Sequence, residues 1–479
     1  MKNRIIGAAV ASALATSAAY ALPPTSAAQF TVYAGGGSAQ AQAVLWAVNQ
    51  IVNTNVDAYT DGACGAQSGN YRVVFGQNSA AITFAGGTTV PANSNILVYY
   101  RLAGGSFPNG AQPQGLGSNL TYPAITGATP CSGAAFPLPT FAIPGSAATV
   151  NAVPDWGLTD EEVPLFNVVN NVPGASPANV LSPVQLSNIS QVGIYNNLFG
   201  IAVTNNLFAQ KSNFSKAEVE AILAGTFTDW SQLFGDNGAA LPAGPIVLLD
   251  RAAGSGSKAA GNQYFLSYPS AIGTGGAQTP GNINFGPSGS LCNGDYADIN
   301  EGSSGNIVRD LVIAANASNC RAIAVLGLEF PPALQNPSAV GKYSFVKIQG
   351  SFPDAAGGIN GSTSTGYENV INGNYDFFFQ NSFNFRTKRV GGNAQHWVGD
   401  GTGFSSLISR FQQAFQSSSL PGCSTGSTAL NPAGTLLDPV VVTTNTNGRT
   451  RGSRATNSTA PLQLIVDASQ ANAACVDTL

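Results

Sequence analysis

The sequence predicts an α/β protein built from two lobes, with long loop insertions. Two segments, residues 30–52 and 244–259, read as a strand, a glycine-rich loop and a helix start, which is typical of a sheet covered by helices. Residues 22–479, which follow a predicted leader, exceed one ordinary domain and suit two lobes. Residues 60–94 and 104–150 are rich in Gly, Pro, Ser and Ala, and are predicted to be long loops or irregular strands.

The first residues predict a secretory signal peptide, residues 1–21. Lys2 and Arg4 precede an apolar, small-residue run to Ala19, and Ala-Tyr-Ala ending at Ala21 is a typical cleavage site. The run is too short to span a membrane and no later run is long enough, so no membrane insertion is expected. We therefore expect a periplasmic protein or, alternatively, one secreted from the cell.

The cysteines form an even set in a chain that is expected to be exported, and this favours disulfide bonds. Their spacings do not fit a zinc site, so no metal is expected. Several connectivities are possible, and we favour the pairing of consecutive cysteines, which would staple three loop-rich segments. The set is Cys64, Cys131, Cys292, Cys320, Cys423 and Cys475.

The chain is poor in charge and mildly acidic. Only 9% of its residues are charged and its formal net charge is −4 at pH 7. The charge becomes more negative when Lys2 and Arg4 leave with the signal peptide. A surface of this kind argues against nucleic acid or an anionic membrane as a partner.

The most informative segment leads from an apolar stretch, residues 246–249, through Arg251 into a Gly/Ser loop that opens a helix. That loop ends in Ser255, Gly256 and Ser257. A helix N-terminus presents unpaired N–H groups and a positive dipole end, so glycines, hydroxyls and an adjacent arginine make a cradle for a tetrahedral oxyanion. The alternative is an ordinary helix cap with a turn glycine, since serine is favoured there in any case.

A longer span resembles the central part of the periplasmic phosphate-binding proteins of ABC transporters and of the related DING proteins. The matching segments are residues 214–225, 228–230, 245–247 and 251–257. In that family the loop reads Arg-x-Asp-Gly-Ser-Gly-Thr, and its Arg, Ser, Gly and Thr hold phosphate. This chain matches at Arg251, Gly254, Ser255 and Gly256, has Ser257 in place of Thr, and has Ala253 in place of Asp.

The resemblance implies a two-lobe, periplasmic-binding-protein-like fold of type II, in which the chain crosses twice between the lobes. One lobe would comprise residues 22–203 and 328–479, and the other residues 204–327. It also implies that the cleft between the lobes captures phosphate or a similar oxyanion. The implied partner is the membrane component of an ABC importer, and no cofactor is implied.

A second glycine loop, Gly35-Gly36-Gly37, lies between a predicted strand and a predicted helix. It resembles the opening Gly-x-Gly-Ala-Thr-Phe of the family, whose Thr and Phe contact phosphate. The corresponding candidates are Ser38, Ala39 and Gln40, of which only Ser38 carries a hydroxyl. A glycine turn that is needed only for close packing of strand and helix is the alternative.

Two further candidates come from the predicted first lobe. Ser106 follows the strand 96–100 in a Gly/Ser loop, where the family has a phosphate-binding serine. Residues 155–160 resemble the motif Asp-x-Gly-x-Ser-Asp, whose last Asp accepts a hydrogen bond from protonated phosphate, so Asp160 is expected to reject sulfate. The alternative is that Thr159 and Glu162 form a capping box and that Asp160 only favours a helix start.

Catalytic interpretations have little support. Ser255 and Lys258 match the Ser-x-x-Lys pattern of penicillin-recognising hydrolases, but the partner motifs Ser-Asp-Asn and Lys-Thr-Gly are absent. His396 is the only histidine and is interpreted as structural. A fourth Gly/Ser loop, residues 302–306, should lie near the cleft and is interpreted as a helix cap. We therefore predict no enzyme and no catalytic residue.

The sequence leaves a competing hypothesis from another class. A secreted structural or adhesive protein could keep this fold with a degenerate or absent ligand site. Ala253, Ala39, Gln40, the long insertions and the low charge favour that alternative.

Overall fold

The computed structural model describes residues 27–62, 69–84, 88–131, 140–267, 297–317, 320–328, 340–353, 374–391 and 395–415, with short pieces at 330, 332, 360, 368–371, 441–442, 449–450 and 465–466. The predicted signal peptide lies outside these residues. So do Cys64, Cys292, Cys423 and Cys475. Neither of the two described cysteines, Cys131 and Cys320, is a free thiol. Disulfide pairing of the whole set stays a prediction.

Strands dominate the described residues. In chain order they are β1 Phe30–Gly35, β2 Thr54–Thr60, β3 Tyr71–Gln77, β4 Asn95–Arg101, β5 Leu120–Pro123, β6 Thr129–Pro130, β7 Thr140–Ala142, β8 Thr149–Ala152, β9 Trp156–Thr159, β10 Ile189–Thr204, β11 Asn213–Phe214, β12 Val247–Arg251, β13 Ala297–Glu301, β14 Ala322–Gly327, β15 Tyr343–Phe345, β16 Lys347–Ile348, β17 Phe378–Arg386, β18 Val441–Val442, β19 Arg449–Thr450 and β20 Ile465–Val466.

Helices pack on this framework. The α-helices are α1 Ala41–Asn49, α2 Gln112–Leu116, α3 Val163–Phe166, α4 Pro183–Leu186, α5 Asn205–Phe208, α6 Lys216–Leu223, α7 Gly256–Leu266, α8 Ser304–Asn316, α9 Glu368–Ile371 and α10 Gly403–Phe415. Shorter 3₁₀ turns include Ser38–Gln40, and a π-helical turn covers Phe107–Ala111. Within the described ranges, none of these helices has the length and apolar character that a bilayer crossing requires.

One mixed sheet of 14 strands organises the described chain. Its main path runs β13-β12-β14-β10-β17-β9-β1-β4-β3-β2-β7-β6, with β15 and β18 pairing beside β10. At one end β12 lies parallel to both β13 and β14. Towards the other end β1 lies parallel to both β4 and β9. The mixed sheet with helices confirms the predicted α/β class.

The described residues form four apolar cores, and the two largest lie on either side of the strands β10 and β17. The first core includes Val32, Val98, Trp156 and Phe411, and the second includes Leu249, Ile307, Val325 and Phe345. The long β10 contributes Ile194 and Tyr195 to the first core and residues 198–199 and 201–203 to the second. Since β17 runs antiparallel to β10 and also contributes to both cores, these two strands connect the lobes.

The second core continues past the boundary that the resemblance implied. Tyr343, Phe345, Val370 and Phe379 pack in the same core as β14, whereas the resemblance implies a return to the first lobe at residue 328. Because β15 pairs with the end of β10, this stretch completes the second core. We therefore propose that the return to the first lobe lies within β17, and the lobe boundaries remain a proposal.

Parts of the predicted loop regions are regular strands. β3 pairs with both β2 and β4, and its residues 72–76 are buried, so it is an internal strand of the large sheet. β5 and β8 form a separate two-stranded sheet. The expectation of mainly irregular structure in residues 60–94 and 104–150 is wrong at these strands, because cross-strand pairing over long sequence distances outweighs local composition.

Candidate functional site

Strand ends from both lobes deliver short loops to one place. β1 leads into the glycines before the 3₁₀ turn at residues 38–40, β4 leads to Ser106, and β9 leads directly to Asp160. Because β1 is parallel to both β4 and β9, these three loops leave the sheet at the same edge. In the second lobe β12 ends at Arg251 and its loop opens α7.

Asp160 is the centre of the site. The hydroxyl of Ser106 donates a hydrogen bond to Asp160 Oδ2. The amide groups of Gln40 and Asn197 both donate to Oδ1, with Nε2 of Gln40 at 2.6 Å and Nδ2 of Asn197 at 3.1 Å. Only 3% of Asp160 is exposed to solvent. Three separate segments of the chain thus direct donors at one buried carboxylate.

The second lobe closes onto the same carboxylate. The backbone N–H of Gly256, the first residue of α7, donates a hydrogen bond to Asp160, and the positive charge of Arg251 acts on it. The lobes also meet through their backbones, since Phe107 N donates to Gly254 O at 3.1 Å. The positive φ of +101° at Gly254 is a conformation that glycine adopts readily. Donors from both lobes therefore converge on Asp160.

Burial determines the electrostatics of this region. It raises the pKa of Asp160 to about 6, although the Ser106 hydroxyl, the charge of Arg251 and the Gly256 N–H each act to lower that pKa. The next residue, Glu161, is fully buried, and burial followed by the charges of Asp160 and Glu162 raises its pKa well above the usual value. Two adjacent acids are therefore buried where β9 ends.

Arg251 is held by the first residue of α8 and by the loop before that helix. Its Nη1 donates to the hydroxyl of Ser304, and its Nη2 donates to the carbonyl of Gly302 at 3.3 Å. Only 4% of Arg251 is exposed. The neighbouring Asp250 forms an ion pair with Lys258. The fourth Gly/Ser loop therefore contacts a candidate ligand-binding residue as well as capping its helix.

Ser255 and Lys258 form a helix cap. The Ser255 hydroxyl oxygen accepts a hydrogen bond from the backbone N–H of Lys258 at 3.2 Å, while the ammonium group of Lys258 pairs with Asp250. The amine is therefore engaged with a carboxylate, and the geometry offers no sign of a Ser-Lys nucleophile pair. Ser257 is buried in the first turn of α7.

The 3₁₀ turn after β1 contributes through a residue that lacks a hydroxyl. Gln40 is fully buried, and its Oε1 accepts the backbone N–H of Gly37 at 2.7 Å and the hydroxyl of Tyr100 at 3.0 Å. Ser38 is half-buried and Ala39 is buried in the same turn. Gln40 therefore connects the glycine loop to Asp160, which makes it more than a packing residue.

The capping interpretation of Asp160 is wrong. Thr159 ends β9, and its hydroxyl donates to Glu161 O at 2.6 Å instead of capping a helix. The following helix, α3, begins at Val163 with Glu162 as its N-cap, and the Glu162 side chain makes no capping hydrogen bond. The chain is extended at Glu162, so Asp160 lies before the helix and its carboxylate is directed at the cleft.

Three residues of this arrangement were missed by sequence reasoning: Tyr100, Asn197 and Ser304. Tyr100 is the last apolar residue of β4, and Asn197 belongs to an Asn-Asn pair within the apolar β10. Buried polar residues inside apolar strands are a usable signal, because an amide or hydroxyl at such a position needs a partner. Ser304 lay in a recognised loop, but no sequence feature connected it to Arg251.

Other regions offer weaker sites. Within the described part of the chain, no group of three or more His, Cys, Asp or Glu side chains could hold a metal ion. His396 stacks on Phe404 at 3.7 Å between ring centroids, and its Nδ1 lies 3.2 Å from Asp400 Oδ2, as a structural histidine would. A cavity of about 420 Å³ in the second lobe is lined in part by Arg321. The Nη1 atom of Arg321 has no hydrogen-bond partner, and it is buried from solvent.

No protein-family model and no curated protein sequence matches this chain. It is similar to the solved structure of a high-affinity periplasmic phosphate-binding protein (PfluDING) bound with phosphate, at 14% identity and a TM-score of 0.37, over 86% of this chain and 91% of that protein. A phosphate-binding protein from Stenotrophomonas maltophilia is 13% identical, with a TM-score of 0.33, over 75% of this chain and 79% of that protein. PstS from Borrelia burgdorferi is 12% identical, with a TM-score of 0.29, over 55% of this chain and 74% of that protein.

Proposed function

We propose that this chain is an exported solute-binding protein that captures a protonated oxyanion, most simply hydrogen phosphate, between its two lobes. The observation that carries the proposal is the convergence of Ser106, Gln40, Gly256 N–H and Arg251 on a single buried point, the Asp160 carboxylate. These are the neutral and cationic donors that bind oxyanions in proteins. The proposed role is binding, without catalysis.

The presence of Asp160 among these donors favours a ligand that carries a proton. A fully ionised anion beside a buried carboxylate is repelled, whereas hydrogen phosphate can donate a hydrogen bond to it. Glu161 adds a second buried acid next to Asp160. We infer that phosphate is preferred over sulfate for this reason.

Entry of the anion requires the lobes to separate. In the closed arrangement the Gly256 N–H and the Ser106 hydroxyl are both used by Asp160. An anion that binds while the lobes are apart would take over donors from each lobe, and closure would then remove it from water. Delivery to the membrane component of an ABC importer, from the periplasm, is the role we propose for the loaded protein.

A second candidate function follows from the same contacts. The donors of the cradle are already satisfied by a carboxylate of the protein itself. A secreted structural or adhesive protein could keep such a closed site for stability alone, with no ligand. The two candidates differ in one measurable property, which is binding of an anion at the cleft.

The test is calorimetric titration and thermal unfolding of protein that has been dialysed free of phosphate. At a ligand concentration about a hundredfold above the Kd, binding should stabilise the folded protein by about 2.7 kcal/mol. The Arg251→Ala variant should lose this stabilisation. Arg309→Ala removes an arginine of α8 whose side chain is 45% exposed and serves as the matched control, with the phosphate response retained.

Titration with phosphate, sulfate and phosphonate distinguishes the solute-binding function from the structural one. Heat and stabilisation with phosphate, and less with sulfate, support the solute-binding proposal. Absence of heat and of any thermal shift with millimolar phosphate, sulfate and phosphonate would reject it in favour of the structural role.

A further inference from the structure

We propose that Ser304 is the positioning residue for Arg251 and sets the direction in which its guanidinium group faces the cleft. This inference rests on the proposed function, because Arg251 is the residue expected to meet the anion. Ser304 itself would touch no ligand. It would act by fixing the geometry of the charge that does.

The sheet register brings the two residues together. Arg251 ends β12, and its partner in the parallel strand β13 is Glu301. The chain leaves β13 through Gly302 and reaches Ser304 at the start of α8. Because parallel neighbours end at the same edge of a sheet, the loop before α8 stands beside the Arg251 side chain.

The contacts hold both ends of the guanidinium fork. Nη1 donates to the hydroxyl of Ser304, and Nη2 donates to the carbonyl of Gly302 at 3.3 Å. Only 1% of Ser304 is exposed, so water does not compete freely for its hydroxyl. A planar guanidinium that is held through two nitrogen atoms has a fixed orientation.

The chemistry of these partners suits an anion site. The hydroxyl of Ser304 and the carbonyl of Gly302, which orient Arg251, carry no formal charge. The nearby Asp250 pairs with Lys258, and position 253, next to the arginine loop, holds an alanine. The positive charge of Arg251 acts to lower the pKa of Asp160.

The neighbouring serine has a different task and provides a matched control. Ser303 is the N-cap of α8, and its hydroxyl oxygen accepts the backbone N–H of Asn306 at 3.1 Å. Ser303→Ala should therefore weaken the helix start without disturbing Arg251. Ser304→Ala should disturb Arg251 while leaving the cap in place.

The experiment compares wild type, Ser303→Ala, Ser304→Ala and Ser304→Thr in the full chain. Inorganic phosphate affinity is measured by calorimetry, and Arg251 is observed by NMR in protein labelled on arginine, with the signal assigned from Arg251→Lys. Removing one hydrogen bond to a charged group should weaken phosphate binding about tenfold in Ser304→Ala. Ser304→Thr should recover most of the affinity, and Ser303→Ala should bind like wild type with a lower unfolding temperature.

The NMR signal distinguishes the failure of this inference from the failure of the proposed function. Hydrogen bonds at both Nη atoms should give separate Nη signals in wild type and in Ser303→Ala, and averaged signals in Ser304→Ala. If wild type binds no phosphate but this pattern appears, the positioning role stands and the proposed function falls. If Ser304→Ala keeps separate Nη signals, the positioning role is refuted. It is also refuted if wild type binds phosphate and Ser304→Ala changes the affinity no more than Ser303→Ala does.

Discussion

Gly256 of the second lobe lies directly against Asp160 of the first. Its N–H donates to the Asp160 carboxylate, and a Cβ at position 256 would overlap Oδ2 of that carboxylate. Glycine is required here for a steric reason, since any side chain would keep the two lobes from meeting. The closed cleft therefore depends on Gly256, which has no side chain, and on the Asp160 carboxylate, which accepts several hydrogen bonds.

Gly256→Ala should prevent this contact. We expect a destabilisation of about 1–3 kcal/mol from overpacking and a loss of phosphate binding, measured by chemical unfolding and calorimetry. Gly305→Ala is the control, because a Cβ at that position in α8 meets only Ser303 Oγ, at 3.8 Å. Equal behaviour of the two variants would show that closure at Gly256 is irrelevant to binding.

Asp160→Asn should change the choice of anion. The asparagine removes the buried negative charge and adds a donor, so sulfate affinity should rise and phosphate preference should fall. Both dissociation constants are measured in wild type and in the variant. Asp155→Asn is the control, since Asp155 is equally buried but accepts from Tyr33 N, outside the cleft. A sulfate-to-phosphate ratio that Asp160→Asn leaves unchanged would remove Asp160 from the specificity role.

Asp160 should also make stability depend on pH. Burial raises the pKa of Asp160 to about 6 from the usual 3.8, so the folded state holds its proton more tightly than the unfolded state does. The stability linked to this proton is complete below about pH 4 and is lost as the pH rises through about 6. Its size is about 3 kcal/mol at most.

Urea unfolding between pH 4 and pH 7 measures this effect. The fall in stability over that range should be smaller in Asp160→Asn than in wild type. The remaining fall should reflect Asp57, Asp155 and Glu161. Burial raises the pKa of Asp57 and of Asp155 to about 6, and it raises the pKa of Glu161 well above its usual value. Identical pH profiles for wild type and Asp160→Asn would contradict the assignment.

The six cysteines should be oxidised in the exported protein. Cys131 and Cys320 are not free thiols in the described structure, and an even set in an oxidising compartment favours complete pairing. Alkylation under native, non-reducing conditions followed by mass spectrometry should find no modified cysteine. Protein that is first reduced provides the control with full modification, and several labelled cysteines in the native sample would disprove the prediction.

Local patterns in the sequence were sufficient to identify most elements around the site. The apolar runs before Arg251 and Ser106 are strands, and the Gly/Ser loop at residues 254–257 does open a helix. Such signals are local, because strand alternation, helix capping and glycine turns depend on neighbouring residues. Asp160 and Gln40 became candidates through the family resemblance and not through a local pattern.

The sequence by itself determined the α/β class, the order of strands and glycine loops, and the residue types available to an anion. Only the tertiary structure decided which of them meet: that Gly256 contacts Asp160, that Asn197 of the connecting strand joins the same carboxylate, and that Ser304 holds Arg251. The reason is physical. These contacts join segments far apart in the chain, and their geometry depends on strand register and lobe closure, which no local pattern encodes.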